Sequence, residues 1–204
     1  MQELWLGIPA FLLALTCHEV AHGYVAKRLG DPTADEQGRL TLNPIKHISL
    51  LGTIIFPLLL YFAHSPVIFG WAKPVPVDPR YFRRPLRGMM WVGMAGPVAN
   101  FILAIIAAIV FRLLAPLASE QSVLLEFVLV FMLVNLVLGF FNLIPIPPLD
   151  GSRIVSGLLP RNLAIEYLRL ERYGFMILFL LLYLGIFSRF VFPVAIRCAE
   201  LLVR

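Results

Sequence analysis

Four apolar runs, each long enough to cross a lipid bilayer, constrain this chain more than any other feature of its sequence. A helix needs about 20 apolar residues to span a hydrocarbon core of about 30 Å. The runs cover residues 4–26, 89–115, 122–144 and 173–196. Only 14% of the 204 residues are charged, and the mean hydropathy is +0.87. Because a soluble domain carries about 25% charged residues, the composition predicts an integral membrane protein.

No linker or internal boundary divides the chain, so we expect a single membrane domain over residues 1–204. The predicted fold class is an all-α polytopic membrane protein, a bundle of about four to six transmembrane helices. The N-terminus, MQELW, does not have the basic start of a cleavable signal peptide. The run over residues 4–26 is therefore expected to remain in the mature protein.

Lysine and arginine concentrate in three of the connections between the apolar runs. The positive-inside rule predicts that these connections are cytoplasmic, whereas the connection over residues 116–121, without Lys or Arg, fits the outside. The net charge of +5 then indicates contact with lipid headgroups, with no nucleic-acid partner expected. The basic residues are Lys27, Arg28, Arg39 and Lys46, then Lys73, Arg80, Arg83, Arg84 and Arg87, then Arg153, Arg161, Arg169 and Arg172.

A fifth apolar run, residues 48–63, is shorter and contains Pro57. A full crossing here would place the basic connections on its two sides on opposite faces of the membrane. We therefore expect a re-entrant segment that enters and leaves on one side, with a true span as the alternative. Pro57 favours re-entry because it removes a backbone donor and can break a helix.

Two short segments flank this run and predict a small membrane-associated β element. GRLTL, residues 38–42, alternates polar and apolar side chains, which is typical of a strand. GWAKPVPVDP, residues 70–79, is extended by its prolines and is expected to form a partner strand or a lid. The strand and re-entrant region together cover residues 38–79.

Two histidines and a glutamate interrupt the first apolar run, in HEVAH at residues 18–22. His18 and His22 are four residues apart, so they share a helical face and can bind one cation, with Glu19 beside them. An ionisable group inside a membrane helix costs at least about 2.5 to 3.5 kcal/mol, which simple packing does not offset. The spacing indicates a zinc hydrolase. The alternatives are a polar pocket without metal and histidines that reach the membrane interface.

A catalytic zinc site needs three protein ligands and one open position, so a third ligand must lie elsewhere. FNLIPIPPLDG, residues 141–151, presents Asp150 on irregular backbone, because its three prolines cannot continue a helix. We therefore expect residues 122–150 to form the third span, which ends in the sequence PPLDG. The orientation predicted from the basic residues puts Asp150 on the same membrane face as His18 and His22. This favours ligation over an ordinary capping role in a proline-rich turn.

Three motifs in this order resemble the signature elements of the site-2 protease family of intramembrane zinc metalloproteases. They are HEVAH, AGPVAN at residues 95–100 and NLIPIPPLDG at residues 142–151. The resemblance is closest to the small bacterial members without a PDZ or CBS domain, which have similar GRLTLNP and GWAKPVPV segments.

The resemblance implies that His18, His22 and Asp150 bind one Zn²⁺ and that Glu19 is the catalytic base. It also implies that Asn100 lies near the active site and helps to hold the substrate backbone. The residues alone leave Asn100 open, since an amide in an apolar run often hydrogen-bonds another helix.

The predicted function is hydrolysis of peptide bonds in transmembrane or membrane-anchored proteins, near the cytoplasmic face of the cell membrane. A helical substrate must be unwound, and the edge of the strand over residues 38–42 can pair with it. The resemblance implies regulated proteolysis, such as the second cleavage of an anti-sigma factor or removal of signal-peptide remnants. The residues expected to support the active site or to bind substrate are Asn100, Gly96, Asn43 and Leu40.

Two other functions fit the same residues. One is a membrane metal-ion transporter that uses the His/His/Asp site, because polar groups inside membranes often bind transported ions. The other is a non-proteolytic binder of transmembrane segments. Glu19 discriminates between them and a hydrolase, because only a hydrolase should bind zinc normally and lose turnover when this carboxylate is replaced by an amide.

Overall fold

The computed structural model describes residues 2–63, 70–117 and 122–204, and within these ranges it is helical and contains no strand. Short 3-10 turns cover Pro44–His47 and Pro79–Tyr81, and a π-helical turn covers Leu50–Ile55. The α-helices are α1 (Gln2–Arg28), α2 (Thr33–Glu36), α3 (Phe56–Phe62), α4 (Pro85–Leu114), α5 (Val123–Asn142), α6 (Asp150–Leu158), α7 (Arg161–Leu168), α8 (Glu171–Tyr183) and α9 (Ile186–Val203).

Helices α1, α4 and α5 are long and apolar enough to cross a membrane, as the first three apolar runs predict. A fourth crossing is possible only if α8 and α9 together form one broken span, because they are bent by 73°. The apolar run over residues 173–196 is thus divided between two helices, and its crossing of the membrane stays a prediction. The break falls at Gly185, whose φ of 69° is left-handed and accessible to glycine at little cost.

Helix α4 lies at the centre of the fold and packs against α1, α5, α6 and α9. Its buried alanines, Ala104, Ala107 and Ala108, form one core cluster with Ala195 of α9 and with apolar side chains of α5. Small side chains let membrane helices approach closely. This face of α4 therefore comes near α5 and α9, while about half of the Ile105 side chain on its outward face is exposed.

The two ends of the segment over residues 48–72 lie next to each other. The Lys73 N–H donates to His47 O at 2.9 Å, and the Trp71 N–H donates to Gly52 O at 3.0 Å. The helical stretch Leu50–Phe62 is too short to cross a membrane. Ends that meet in this way are expected of a re-entrant segment, but residues 64–69 lie outside the described part of the chain, and re-entry stays a prediction.

The small β element does not form in the described residues, so this part of the prediction is wrong. Residues 70–79, which we call the proline strap, contain prolines without N–H groups at positions 74, 76 and 79. A ladder needs those donors. Two N–H groups that the strap retains, those of Val75 and Asp78, donate instead to the carboxylates of Glu19 and Asp31.

The proline strap nevertheless lies beside residues 38–42. The Arg39 guanidinium donates to Lys73 O at 2.8 Å and to Pro74 O at 3.3 Å, and the Arg39 side chain is buried. Side-chain to backbone bonds thus join the two segments in place of a strand ladder. Together they hold the strap across the C-terminal half of α1.

Candidate metal centre

Two helices bring three ionisable side chains to one buried point. The Nε2 atoms of His18 and His22 on α1 are 3.0 Å apart. The Asp150 Oδ2 atom is 3.1 Å from the first and 3.2 Å from the second. All three residues are buried. The three side chains that the sequence predicts as metal ligands therefore converge on a single site.

Asp150 reaches this point because α6 begins there and turns back against the end of α5. Gly151 makes the turn possible, since a Cβ at this position would lie 2.3 Å from Leu143 O and 2.5 Å from Ile144 O. No larger residue fits without moving the backbone. The polypeptide after α5 is thereby folded tightly enough to direct Asp150 toward α1.

Hydrogen bonds at the Nδ1 atoms of the two histidines determine which ring nitrogen carries no proton. His18 Nδ1 lies 2.6 Å from Asn100 Oδ1, and His22 Nδ1 lies 2.6 Å from Val92 O. Both oxygens are acceptors, so each Nδ1 carries a proton and donates it. In neutral rings each Nε2 is then a bare lone pair that faces Asp150.

The convergence of these atoms fits a metal ion. Asp150 Oδ2 is buried, and no group in residues 2–63, 70–117 or 122–204 donates a hydrogen bond to it. Three electron-rich atoms in mutual contact repel one another unless a cation lies between them. Zinc binds His nitrogen and carboxylate oxygen at about 2.0 to 2.2 Å, which separates tetrahedral ligands by about 3.3 Å. The observed separations are close to this value.

Gly96 on α4 leaves the space that the histidine rings occupy. A Cβ at Gly96 would lie 2.4 Å from His18 Cε1 and 2.5 Å from His22 Nε2. Even alanine would therefore displace both rings. Four residues further along α4, the fully buried Asn100 contacts His18. The AGPVAN motif thus supplies both the space beside the site and a hydrogen-bond acceptor for it.

Glu19 lies between the two histidines in sequence and faces the proline strap. Its Oε2 atom accepts a hydrogen bond from the Val75 N–H at 2.8 Å, and the side chain is half-buried. The strap therefore binds the residue that is expected to act as the base. This contact was not predictable from residue types, because the donor is a backbone group.

Leu40 and Asn43 have different surroundings from the other candidates. Leu40 packs on α1 against Gly23, since a Cβ at Gly23 would lie 2.5 Å from Leu40 Cδ2. Asn43 is exposed and caps the turn Pro44–His47, where its side chain accepts from the Ile45 N–H at 3.1 Å. The structure thus places Leu40 against the helix that carries the histidines and gives Asn43 a capping contact.

Known proteins resemble the chain over most of its length. The sequence profile of Peptidase family M50 matches residues 113–185. The Bacillus subtilis (strain 168) protein named "Putative zinc metalloprotease YwhC" is 42% identical over 181 residues, which cover 86% of this chain and 78% of that protein. The Mycolicibacterium smegmatis protein named "Putative zinc metalloprotease Rip2" is 27% identical over 92% of this chain and 70% of its own length.

A third relative is the Methanocaldococcus jannaschii protein named "Zinc metalloprotease MJ0392", 27% identical over 74% of this chain and 33% of its own length. No solved structure matches. The profile match and the 42% identity show that the chain belongs to Peptidase family M50, the site-2 protease family. It is an integral membrane protein and an intramembrane zinc metalloprotease. The transporter alternative has no support from these relatives.

Proposed function

We propose that His18, His22 and Asp150 hold the catalytic zinc and that Glu19 is the general base for peptide hydrolysis. The observation that carries the proposal is the contact of three buried acceptor atoms, 3.0 to 3.2 Å apart, one of them without a hydrogen-bond donor. Two histidines and one carboxylate form a ligand set that is used by catalytic zinc and leaves a fourth position open.

His18, His22 and Asp150 would hold a zinc ion, which would supply polarisation of the scissile carbonyl and a water pKa lowered toward about 7. The chain's own groups supply the rest of the chemistry. Glu19 takes a proton from the attacking water and passes it to the leaving amine. Asn100 and Val92 O hold the two imidazole rings by their Nδ1 protons, so that both Nε2 atoms stay directed at the site.

The proline strap must respond when substrate binds, because Glu19 is hydrogen-bonded to the Val75 N–H. We propose that an extended substrate segment enters beside the strap and that Glu19 exchanges Val75 for the attacking water. Leu40, which packs against Gly23 of α1, would border this path, and Asn43 would lie at its outer end.

The proposed substrates are transmembrane or membrane-anchored proteins in the cell membrane, cleaved near the cytoplasmic face. Lys27 and Arg28 end α1, and His22 lies only about 9 Å from Arg28 along the helix axis. The N-terminal end of α4, at Pro85, follows another group of arginines. The positive-inside rule assigns both of these helix ends to the cytoplasm.

Zinc content and cleavage measured together test the residue roles. Detergent-purified wild type, Glu19→Gln, Asp150→Ala and the control Asp35→Ala would be compared on a membrane-spanning test protein. Asp35 is a half-exposed carboxylate paired with Lys27 and is unrelated to the site. We expect zinc in all but Asp150→Ala and cleavage only in wild type and Asp35→Ala. Equal zinc in Asp150→Ala and wild type would refute the ligand set.

Cysteine labelling tests the orientation. In a variant without Cys17 and Cys198, single cysteines would replace the exposed residues Gln37 and Leu117, which lie at opposite ends of the spans. A membrane-impermeant thiol reagent added to intact cells should label the cysteine at position 117. The cysteine at position 37 should react only after the membrane is opened. The reverse pattern would place the active site on the outside.

A further inference from the structure

A chain of buried amides extends from the candidate metal centre to α5. Asn100 on α4 and Asn135 on α5 are each fully buried, with exposures of 0%. The Asn100 Nδ2 donates to Asn135 Oδ1 at 2.9 Å, and His18 Nδ1 lies 2.6 Å from Asn100 Oδ1. Helices α1, α4 and α5 are thus joined by consecutive hydrogen bonds that end at a histidine of the site.

The contact between Asn135 and Phe131 O determines which group donates and which accepts in every hydrogen bond of this chain of amides. The Asn135 Nδ2 donates to Phe131 O at 2.8 Å, and a backbone carbonyl can only accept. Asn135 must therefore present its oxygen to Asn100, so Asn100 must present its NH₂ group to Asn135. The Asn100 oxygen is then the atom that faces His18 Nδ1, which must carry the proton.

The same logic determines the state of the ring nitrogen that faces the site. A neutral imidazole carries one proton, so a protonated Nδ1 leaves His18 Nε2 as a lone pair. This is the tautomer that can bind a metal. If the Asn100 amide turned over, its NH₂ group would face Nδ1 and favour the other tautomer, whose protonated Nε2 cannot bind.

Asn135 is the main contact that holds Asn100 in the productive orientation. Among the described residues, the other acceptor near Asn100 Nδ2 is Ala14 O, at 3.5 Å, which is the limit of a hydrogen bond. Removing the oxygen at position 135 leaves only this long contact to keep the amide from turning.

We propose that Asn135 is a positioning residue for zinc: acting through Asn100, it sets the tautomer and ring orientation of His18. Asn135 does not itself contact a proposed metal ligand. The inference rests on the proposed function, because it requires His18 to be a ligand. A purely structural role is the competing account, since amides between membrane helices also stabilise helix association.

Asn142 provides a matched control on the same helix. Its Nδ2 donates to Leu138 O, four residues back, at 3.0 Å, which repeats the bond from Asn135 to Phe131 O. Asn135 has the additional bond to Asn100. A loss of zinc affinity in an Asn135 variant but not in Asn142→Leu therefore reports the chain that leads to His18.

Zinc affinity of the full-length protein in detergent, measured by competition with a chromophoric chelator, tests the proposal. The variants are Asn135→Leu, Asn135→Ala, Asn135→Asp, Asn142→Leu and His18→Ala. We expect Asn135→Leu and Asn135→Ala to weaken zinc binding about 10- to 100-fold, as loss of groups that orient metal ligands usually does. Asn142→Leu should bind as wild type does.

Asn135→Asp should restore most of the affinity. In its protonated form, the carboxyl group can donate to Phe131 O through its hydroxyl and accept from Asn100 through its carbonyl. Thermal unfolding of each zinc-depleted variant gives a separate measure of stability. A structural role lowers stability without changing affinity below the unfolding temperature, so that result would overturn the proposal.

The outcomes separate this proposal from the proposed function. If His18→Ala loses zinc while both Asn135→Leu and Asn135→Ala bind it as tightly as wild type, the positioning role is wrong and the ligand set stands. If His18→Ala binds zinc as tightly as wild type, the ligand set is wrong and the positioning role falls with it. Asn135→Ala keeps the test usable if Asn135→Leu does not fold.

Discussion

The backbone N–H of Val75 donates to a carboxylate oxygen of Glu19 at 2.8 Å, across 56 positions of the sequence. The bond links the proline strap to the helix that carries both histidines. It also occupies an oxygen of the residue proposed to move protons. The position of the strap and the orientation of the Glu19 carboxylate are therefore coupled through one hydrogen bond.

Replacing Glu19 by Ala should release the strap, whereas replacing it by Gln should not. The amide oxygen of Gln can still accept from the Val75 N–H, while Ala removes the acceptor. A hydrogen bond to a charged group contributes about 1.5 to 3 kcal/mol, so amide exchange at Val75 should accelerate about 10- to 100-fold in Glu19→Ala. Hydrogen exchange read by mass spectrometry over residues 70–79 measures this.

Both Glu19 variants should lose cleavage, because neither side chain can take a proton from water. The contrast between them in hydrogen exchange is thus independent of catalysis. Equal exchange rates over the strap in Glu19→Gln and Glu19→Ala would show that the bond to Val75 does not hold the strap.

Gly96→Ala should weaken zinc binding while leaving the fold intact. The added methyl group would lie within 2.6 Å of three ring atoms of His18 and His22, so both rings must move away from Asp150. We expect zinc affinity to fall by at least about tenfold. Chelator competition measures the affinity, and circular dichroism checks the helix content.

The control for this substitution is Gly7→Ala on α1, where a Cβ meets nothing within 4 Å. Alanine is the better helix former by up to about 1 kcal/mol, so Gly7→Ala should leave zinc binding unchanged and keep or raise stability. Normal zinc affinity in Gly96→Ala would mean that α4 can move away without cost, contrary to the close packing of this helix.

Zinc should stabilise the folded protein, and the effect should require Asp150. A ligand at 100 times its dissociation constant stabilises the native state by about 2.7 kcal/mol. The apparent melting temperature in detergent should therefore rise with free zinc in wild type and in Glu19→Gln. In Asp150→Ala the rise should be absent or much smaller, because one of three ligands is missing. A zinc-dependent rise in Asp150→Ala equal to that of wild type would refute this expectation.

Asp31 should contribute far more to stability than Asp35. Asp31 is fully buried and accepts from the Asp78 N–H at 2.7 Å and from the Thr33 N–H at 3.0 Å, so Asp31→Ala removes the acceptor of two partly buried donors. We expect a loss of about 2 to 4 kcal/mol. Asp35→Ala removes only a half-exposed pair with Lys27 and should cost about 0 to 1 kcal/mol. Chemical unfolding of both variants in the same detergent tests the difference, and equal losses would contradict it.

The spans over residues 4–26, 89–115 and 122–144 could be predicted because the requirement for apolar side chains in lipid is local and additive along the chain. The HEVAH spacing could be interpreted for a similar reason, since helical periodicity alone puts His18 and His22 on one face. The break at Gly185 could not be predicted, because the apolar run continues through it and only the backbone conformation marks it.

The predicted β element does not form in the described residues, for a physical reason that the alternation in GRLTL does not reveal. A strand needs a partner with free backbone donors, and the proline strap instead donates two of its N–H groups to Glu19 and Asp31. Which carboxylate accepts from which backbone N–H depends on the packing of segments that are far apart in the sequence. Residue type alone gave no signal for Val75 or Val92, since both act through the backbone.

Local pattern thus sufficed for the membrane class, the main spans and the identity of the three converging side chains. Folding alone decided which nitrogen of each histidine faces Asp150, which backbone group binds Glu19, and that Asn135 ends a chain of hydrogen bonds leading to His18. The physical reason is the separation along the sequence over which each kind of interaction acts. Hydrophobic burial and helical periodicity act between neighbours in sequence, whereas hydrogen-bond direction at the site is set by acceptors on helices α4 and α5, far along the chain.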